Sequence, residues 1–303
     1  MPGLNSSLYA VLANPKRVGD QQYKALVHQF GLDQPYWVRF VDYVQNMLTF
    51  HFGFSYTTGN DITTEMIQSG RLYNTLLLIG VSTILSIITG ILLGIVAAHK
   101  RGSSLDSFSV TASLATSSLP TFWMGIIFIL VFAINLGWLP PGGTVPASWN
   151  QGPAFVPNLL AQIPVRLEYV FLPALTLTLF TYGTFVLLTR ATMTEALSED
   201  YITTARAKGL PERIVLMRHA FKNASLPIIT ASALAFGGIL GGAIITETIF
   251  NWWGMGLWLY DSVVNNDYPV MQALFYIIAL STIFANLVSD IIYGIVDPRI
   301  KYE

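Results

Sequence analysis

The stretch Leu72-Tyr73-Asn74-Thr75-Leu76-Leu77-Leu78-Ile79-Gly80-Val81-Ser82-Thr83-Ile84-Leu85-Ser86-Ile87-Ile88-Thr89-Gly90-Ile91-Leu92-Leu93-Gly94-Ile95-Val96-Ala97-Ala98 carries no charged side chain. A bilayer core of about 30 Å needs roughly 20 mostly apolar residues in a helix, because every backbone polar group must be satisfied inside the segment. This run meets that requirement, and four more resemble it: Phe108 to Leu136, Tyr169 to Leu188, Leu226 to Phe250 and Met271 to Ile295. The expected fold is all-α and polytopic, with five visible transmembrane helices.

Composition agrees. Of 303 residues, 53% are hydrophobic and 11% charged, against roughly 25% charged in soluble proteins. The 16 basic and 17 acidic residues give a formal charge of -1, which leaves no basic surplus for a nucleic acid backbone. With 0 cysteines and 4 scattered histidines, thiolate metal sites and cysteine nucleophiles are excluded and a histidine-built metal site is disfavoured.

The cations set an orientation. Lys100, Arg101, Arg190, Arg206, Lys208, Arg213, Arg218, Lys222, Arg299 and Lys301 all fall on one side of the five runs, whereas the opposite loops, about 137–168 and 251–270, hold only Arg166. The positive side is expected to be cytoplasmic, together with the C-terminus. Trp138, Trp149, Trp252, Trp253 and Trp258 then lie on the outer side, as an interfacial aromatic belt or as the lining of an entrance.

Residues 1–71 are expected outside the membrane. Nothing at Met1 starts their export, so a further membrane helix ahead of the chain is expected. Trp37, Phe40, Val41, Val44, Met47 and Leu48 recur at helical spacing between Pro35 and Phe50, with Asp33 as a candidate cap; this predicts an amphipathic helix that packs on the spans or lies at the outer interface. Asn5-Ser6-Ser7 and Asn223-Ala224-Ser225 are formal glycosylation triplets, and such short matches are weak.

The longest charged stretch, 189–225, reads as helix, sharp turn, helix. Ser198 or Asp200 is a candidate cap, Tyr201 to Lys208 are helix formers, Gly209 suits a left-handed C-terminal position, and Pro211 suits the start of a second helix through Arg218 to Asn223. Pro227 is expected to begin the next span. The stretch is either a solvated connector or a rigid protrusion that docks on a cytoplasmic partner; small Ala205, Ala207 and Gly209 permit close approach by another surface.

Asp200-Tyr201-Ile202-Thr203-Thr204-Ala205-Arg206-Ala207-Lys208-Gly209-Leu210, followed by Arg218-His219-Ala220, Asn223-Ala224 and Leu226-Pro227, resembles the cytoplasmic loop of peptide-type ATP-binding-cassette importer permeases. Gly31-Leu32-Asp33-Gln34-Pro35, Phe52-Gly53-Phe54-Ser55-Tyr56, Ser118-Leu119-Pro120, Phe122-Trp123, Gly137-Trp138-Leu139-Pro140-Pro141, Leu172-Pro173-Ala174-Leu175-Thr176, Asp267-Tyr268-Pro269 and Asp297-Pro298-Arg299 extend the resemblance over most of the chain. The wider superfamily has Glu-Ala-Ala, three residues, then Gly; here Thr203 and Thr204 precede Ala205, so only Ala205 and Gly209 fit that broader pattern. Family members also have six spans, the first ahead of the outer segment.

The resemblance implies a permease domain over 72–303 that pairs with a homologous permease, two cytoplasmic ATPases and an external binding protein. It further implies a coupling loop in which the helix before Gly209 sits in a groove of the ATPase. This chain is expected to hold no cofactor and to catalyse nothing, because ATP and Mg belong to the ATPases and no Gly-rich phosphate loop is present here. Peptides are the implied cargo, with oligosaccharides or nickel complexes as alternatives within the same family.

Glu247 and Asp290 lie in or near apolar runs, where an unpaired charge is costly. Either each is bonded locally near its end of the bilayer, or the two belong to an ion-coupled secondary transporter or channel. Gly237 with Gly241, Gly238 with Gly242, and Gly90 with Gly94 form small-xxx-small patterns, which predict close helix packing, with the denser cluster also a candidate permease interface.

Overall fold

The computed structural model describes residues 24, 27–28, 33–146, 149, 159–237 and 243–296. Its helices, in chain order, are α1 (Tyr36–Leu48), α2 (Ile62–Gln68), α3 (Arg71–His99), α4 (Ser104–Ser118), α5 (Thr121–Phe128) with a π-helical continuation Ile129–Asn135, and α6 (Leu159–Leu197). Then come α7 (Asp200–Ala207), α8 (Glu212–Ile214), a π-helical stretch Val215–Ala220, α9 (Phe221–Gly237), α10 (Ile244–Ile249), α11 (Met255–Val264) and α12 (Tyr268–Val296). Among the described residues there is no strand, only an isolated bridge between Phe54 and Asp61.

Among the described residues, three helices have the length and apolar character to cross a bilayer: Arg71–His99, Gln162–Leu197 within α6, and Tyr268–Val288 within α12. The expected span from Phe108 to Leu136, in which Pro120 could introduce a bend, is two segments meeting at 99°. Leu119 and Pro120 are extended at the break, since proline disfavours the helical region for the residue before it and donates no amide. The described residues of the fourth apolar run lie in α9, which is described as far as Gly237, and in α10, while Gly238, Gly241 and Gly242 lie outside the described residues. The chain thus fits an all-α, polytopic membrane protein, with three helices among the described residues long and apolar enough to span, and a fourth if the bent pair is one span.

Proline has opposite consequences elsewhere. Pro164 and Pro173 are carried inside α6 and Pro227 inside α9 without ending either helix, so Pro227 does not begin a span as expected. Within 189–225, α6 continues to Leu197, α7 follows, and Glu212 to Gly237 is helical without interruption, so the expected helix, turn and helix are present.

The long helices α3 and α6 form the central seam. Gly90 faces Phe185 and the Tyr182 carbonyl, and Gly94 faces Thr189 and the Val186 carbonyl, so tightly that any Cβ would collide; the small-xxx-small reading holds at this pair. Ser86 and Thr181 hydroxyls meet at 2.6 Å across the seam, and Thr178 donates to the Ser82 carbonyl at 3.3 Å. Gly183 brings α4 equally close to the other side of α6 through the Ser113 carbonyl.

At one end of the bundle, Met47 of α1, Phe52, and Ile62 and Met66 of α2 pack with Met255, Trp258 and Leu259 of α11 and Val270 and Leu274 of α12. The amphipathic helix forms as expected over Tyr36–Leu48, but Pro35 rather than Asp33 occupies its cap position, and Asp33 faces His28 at 2.9 Å. Only Met47 of α1 is buried. The Ser55 hydroxyl and the Tyr56 and Thr57 amides donate to the Asp267 carboxylate at 2.5, 3.0 and 3.1 Å, which ties residues 55–57 to the start of α12.

Candidate functional site

The opposite end of the bundle carries α7, the helix quoted above as the centre of the charged loop. Neither Ser198 nor Asp200 caps it. Glu199 takes that position, Ser198 donates to the Glu195 carbonyl, and Asp200 lies in the first turn, where a carboxylate favours the helix dipole. The Lys208 amide donates to the Thr204 carbonyl and the Gly209 amide to the Arg206 carbonyl, closing the helix, and Gly209 turns with φ +73° as expected.

Two faces result. Ile202 is fully buried and Ala205 is 4% exposed, in a cluster with Ile95 and Ala98 of α3, Met193 and Ala196 of α6, Val215 and Ala220 of the π-helical stretch, and Ala224 of α9. Leu210 packs against the edge of this cluster. Ala205 was expected to permit approach by another surface; it points into its own bundle, so its smallness serves the seat of α7. Asp200, Tyr201, Thr204, Arg206, Ala207, Lys208 and Gly209 are exposed.

Arg206 reaches across the turn to Glu212 as a fork, with Nη2 donating to Oε1 at 2.7 Å and Nε to Oε2 at 3.3 Å. His99, the last residue of α3, places Nδ1 3.8 Å from the same Oε1. The hydrogen bonds from Arg206, reinforced by its charge and that of His99, hold the Glu212 carboxyl below its ordinary range, and Glu212 in turn raises Arg206. Both side chains are largely exposed, so the pair fixes geometry more than it adds stability. Deeper at this end, Arg190 Nη2 donates to Asp106 Oδ2 at 2.9 Å and joins α6 to α4.

Beside α7 a groove of about 760 Å³ runs between α6 and α9, with Glu195, Glu199 and Tyr201 at its rim and Leu226, Pro227 and Leu234 along it. Between the bundle ends, a second cavity of about 500 Å³ is lined by Ser82, Thr83 and Ser86 of α3, Thr181 and Phe185 of α6, and Thr246 of α10. Among the described residues its lining is mostly apolar with hydroxyls and no charged residue.

Glu247 is fully buried near the far end of the bundle. Thr75 Oγ1 donates to Oε1 at 2.8 Å and the Leu257 amide to Oε2 at 3.0 Å, while Thr75 accepts the Met255 amide at 2.8 Å. The carboxylate therefore meets amides at the start of α11, where the helix dipole favours negative charge. Asn74 donates to the Trp253 carbonyl at 2.7 Å, and the Trp252 indole donates to the Asn74 carbonyl at 3.0 Å. The local bonding expected for Glu247 is what the geometry shows; Asp290 lies in α12, and its side chain is outside the described residues.

Two of the five tryptophans expected in an outer belt do not face outward. Trp252 and Trp258 are packed inside the bundle, while Trp138 is 69% and Trp253 42% exposed. Arg71 stacks over Trp253 and Trp258, at 3.8 and 4.9 Å from the ring centres. The sequence reading missed this network. Its signal was present: Arg71, Asn74 and Thr75 open one apolar run and Glu247 nearly closes another, and polar groups at such depths require partners.

Residues 90–302 match the family described as the binding-protein-dependent transport system inner membrane component. The chain is 36% identical over 302 residues to the di/tripeptide transport system permease protein DppB of Pseudomonas aeruginosa, covering 97% of this chain and 89% of that protein. It is 36% identical over 294 residues to the oligopeptide transport system permease protein AppB of Bacillus subtilis, covering 96% and 89%. It is 37% identical over 294 residues to the glutathione transport system permease protein GsiC of Escherichia coli K12, covering 97% and 88%. Over most of its length, then, this chain is a membrane permease component and not an enzyme, and it belongs to the family of inner-membrane components of binding-protein-dependent transport systems.

Proposed function

We propose that this chain is one of two permease subunits in an ATP-driven importer for peptides, with the α7 end in the cytoplasm, together with the C-terminus, and residues 1–71 outside. The relatives' names concern di- and tripeptides, oligopeptides and glutathione, which favours short peptides as cargo delivered by an external binding protein. The uncharged cavity between α3 and α6 suits this cargo: hydroxyls serve peptide amides, and no fixed charge selects among side chains.

The observation that carries the coupling role is the two-faced seating of α7. Ile202 and Ala205 anchor it to four other helical segments, and Tyr201, Thr204, Ala207 and Lys208 face outward beside the Gly209 turn. A passive connector has no need of an anchored face. In the proposed cycle, the outward face sits in a groove of an ATPase, and closure of the ATPases shifts the permease pair between inward and outward openings; each nucleotide state must bind the two conformations differently for this to work.

With 0 native cysteines, the chain accepts single-cysteine probes directly. In the complex assembled with its partner permease, ATPases and binding protein, Ala207→Cys is expected to crosslink to the ATPase and Ala205→Cys is not. Equal labelling of both positions by a water-soluble maleimide, without any crosslink, would refute the docking role. Uptake of a labelled tripeptide, with oligosaccharide and nickel chelate as competitors, tests the cargo.

A further inference from the structure

We propose that Glu212 is a positioning residue that clasps the coupling helix to the end of α3, so that displacement of α7 is delivered to the helix lining the mid-bundle cavity. The inference rests on the docking role proposed for α7 and adds the route by which motion leaves it.

The geometry is directional. Glu212 stands just past the Gly209 turn, where it takes the Arg206 fork from α7 on one side and faces His99 on the other. Below this charged lid, Ile202 and Ala205 rest on Ile95 and Ala98, one turn and less before His99. Thus α7 meets α3 through an apolar seat and an ionic clasp at the same point. An apolar seat alone resists separation but is non-directional; the Arg206 fork fixes the Glu212 carboxylate on α7, and its 3.8 Å approach to His99 carries that orientation to α3 when the imidazole is protonated. The clasp lets α7 push, pull and rotate the end of α3 instead of sliding across it.

What α3 would transmit is visible along its length. An α-helix of its size extends about 43 Å at 1.5 Å per residue. From the His99 end it passes the tight seam at Gly94 and Gly90, then lines the cavity with Ser86, Thr83, Ser82 and Ile79. It ends at Thr75 and Asn74, which hold Glu247 and the Trp252–Trp253 turn. A single helix therefore joins the coupling helix, the cavity wall and the far polar network.

The test uses the assembled complex in nanodiscs, with cysteine-free partners and spin labels on Thr203→Cys in α7 and Arg101→Cys just beyond α3. With the clasp intact, the label separation should keep one narrow distribution in the nucleotide-free and ATP-trapped states. Glu212→Gln, which preserves side-chain size at an exposed position, should broaden it on ATP trapping and lower binding-protein-stimulated ATP hydrolysis roughly three- to five-fold, the scale an exposed forked pair supplies. Arg206→Glu should do the same, and combining Arg206→Glu and Glu212→Arg with His99→Glu, which restores opposite charges on both sides of the clasp, should recover both readouts, which general weakening of the fold would not do. An unchanged distribution and rate in Glu212→Gln, or failure of the triple exchange to recover them, overturns the clasp. If the Ala207→Cys crosslink to the ATPase persists in that case, the clasp alone is wrong; if the crosslink is absent from the complex with Arg206 and Glu212 intact, the docking role fails and the clasp falls with it.

Discussion

Replacing Gly209 separates backbone strain from collision with a partner. Its φ of +73° lies in the left-handed region, and a Cβ placed there meets nothing within 4 Å in this chain. Any cost within the subunit is therefore conformational. An L-residue in this region costs roughly 1–2 kcal/mol, asparagine less because its short polar side chain tolerates the conformation, and a β-branched residue the most. A loss of 1–2 kcal/mol is a factor of about 5–30 in a local equilibrium, so Gly209→Ala should raise the opening of α7 about five-fold and Gly209→Val about thirty-fold, with Gly209→Asn near the parent. Hydrogen exchange over Asp200 to Lys208 reads the opening, and binding-protein-stimulated ATP hydrolysis reads the coupling. Exchange should rise, and stimulated hydrolysis should fall, in the order Asn, Ala, Val. If Gly209→Asn abolished stimulation while exchange stayed at the parent level, contact with the ATPase, and not turn geometry, would explain the glycine; if Gly209→Val matched the parent in both, the left-handed turn would have no role.

Thr75→Val removes the hydroxyl that serves both Glu247 and the Met255 amide, and leaving such buried groups unpaired should cost about 1–3 kcal/mol each, measurable as a lower thermal midpoint in detergent. Gly94→Leu should fail to assemble or lose about 1–3 kcal/mol or more through overpacking against Thr189, whereas Gly80→Leu, where the added side chain enters open space, should match the parent in the same melt. The Glu212 carboxyl titrates below its ordinary 4.5 because Arg206 bonds its charged form, so its stabilisation is fully present above that value and disappears as pH falls through the depressed one. The thermal midpoints of the parent and Glu212→Gln should thus differ slightly at pH 7, by less than about 1 kcal/mol for so exposed a pair, and converge in acid; an equal gap at both pH values would contradict the ion pair.

Local chemistry was legible where one residue type decides one feature. Gly209 was assigned its left-handed turn from its place after a run of helix formers, and the α1 periodicity gave a helix within two residues of its observed ends. The long apolar runs gave the class of fold. Hydropathy could not see the break at Leu119–Pro120, since the residues on both sides are equally suited to lipid and proline alone does not decide between bend and continuation: Pro173 and Pro227 are continued through. Charge could not show where the preceding helix stops. A helix emerging from a bilayer keeps its hydrogen bonds in water, and α6 continues past Thr189 to Leu197. The direction of Ala205 was illegible because a small residue suits both an internal contact and an external one; only the packing of Ile95, Met193 and Val215 decides it.

A lever fastened along one edge can be re-toothed along the other. Since Ile202 and Ala205 hold α7 in place without help from Tyr201, Thr204, Ala207 or Lys208, grafting a foreign permease's residues at those four positions should redirect the subunit to that permease's motor while the membrane scaffold stays intact. Pairing with motors would then be portable between transporters, written in a few solvent-side letters and independent of the cargo path.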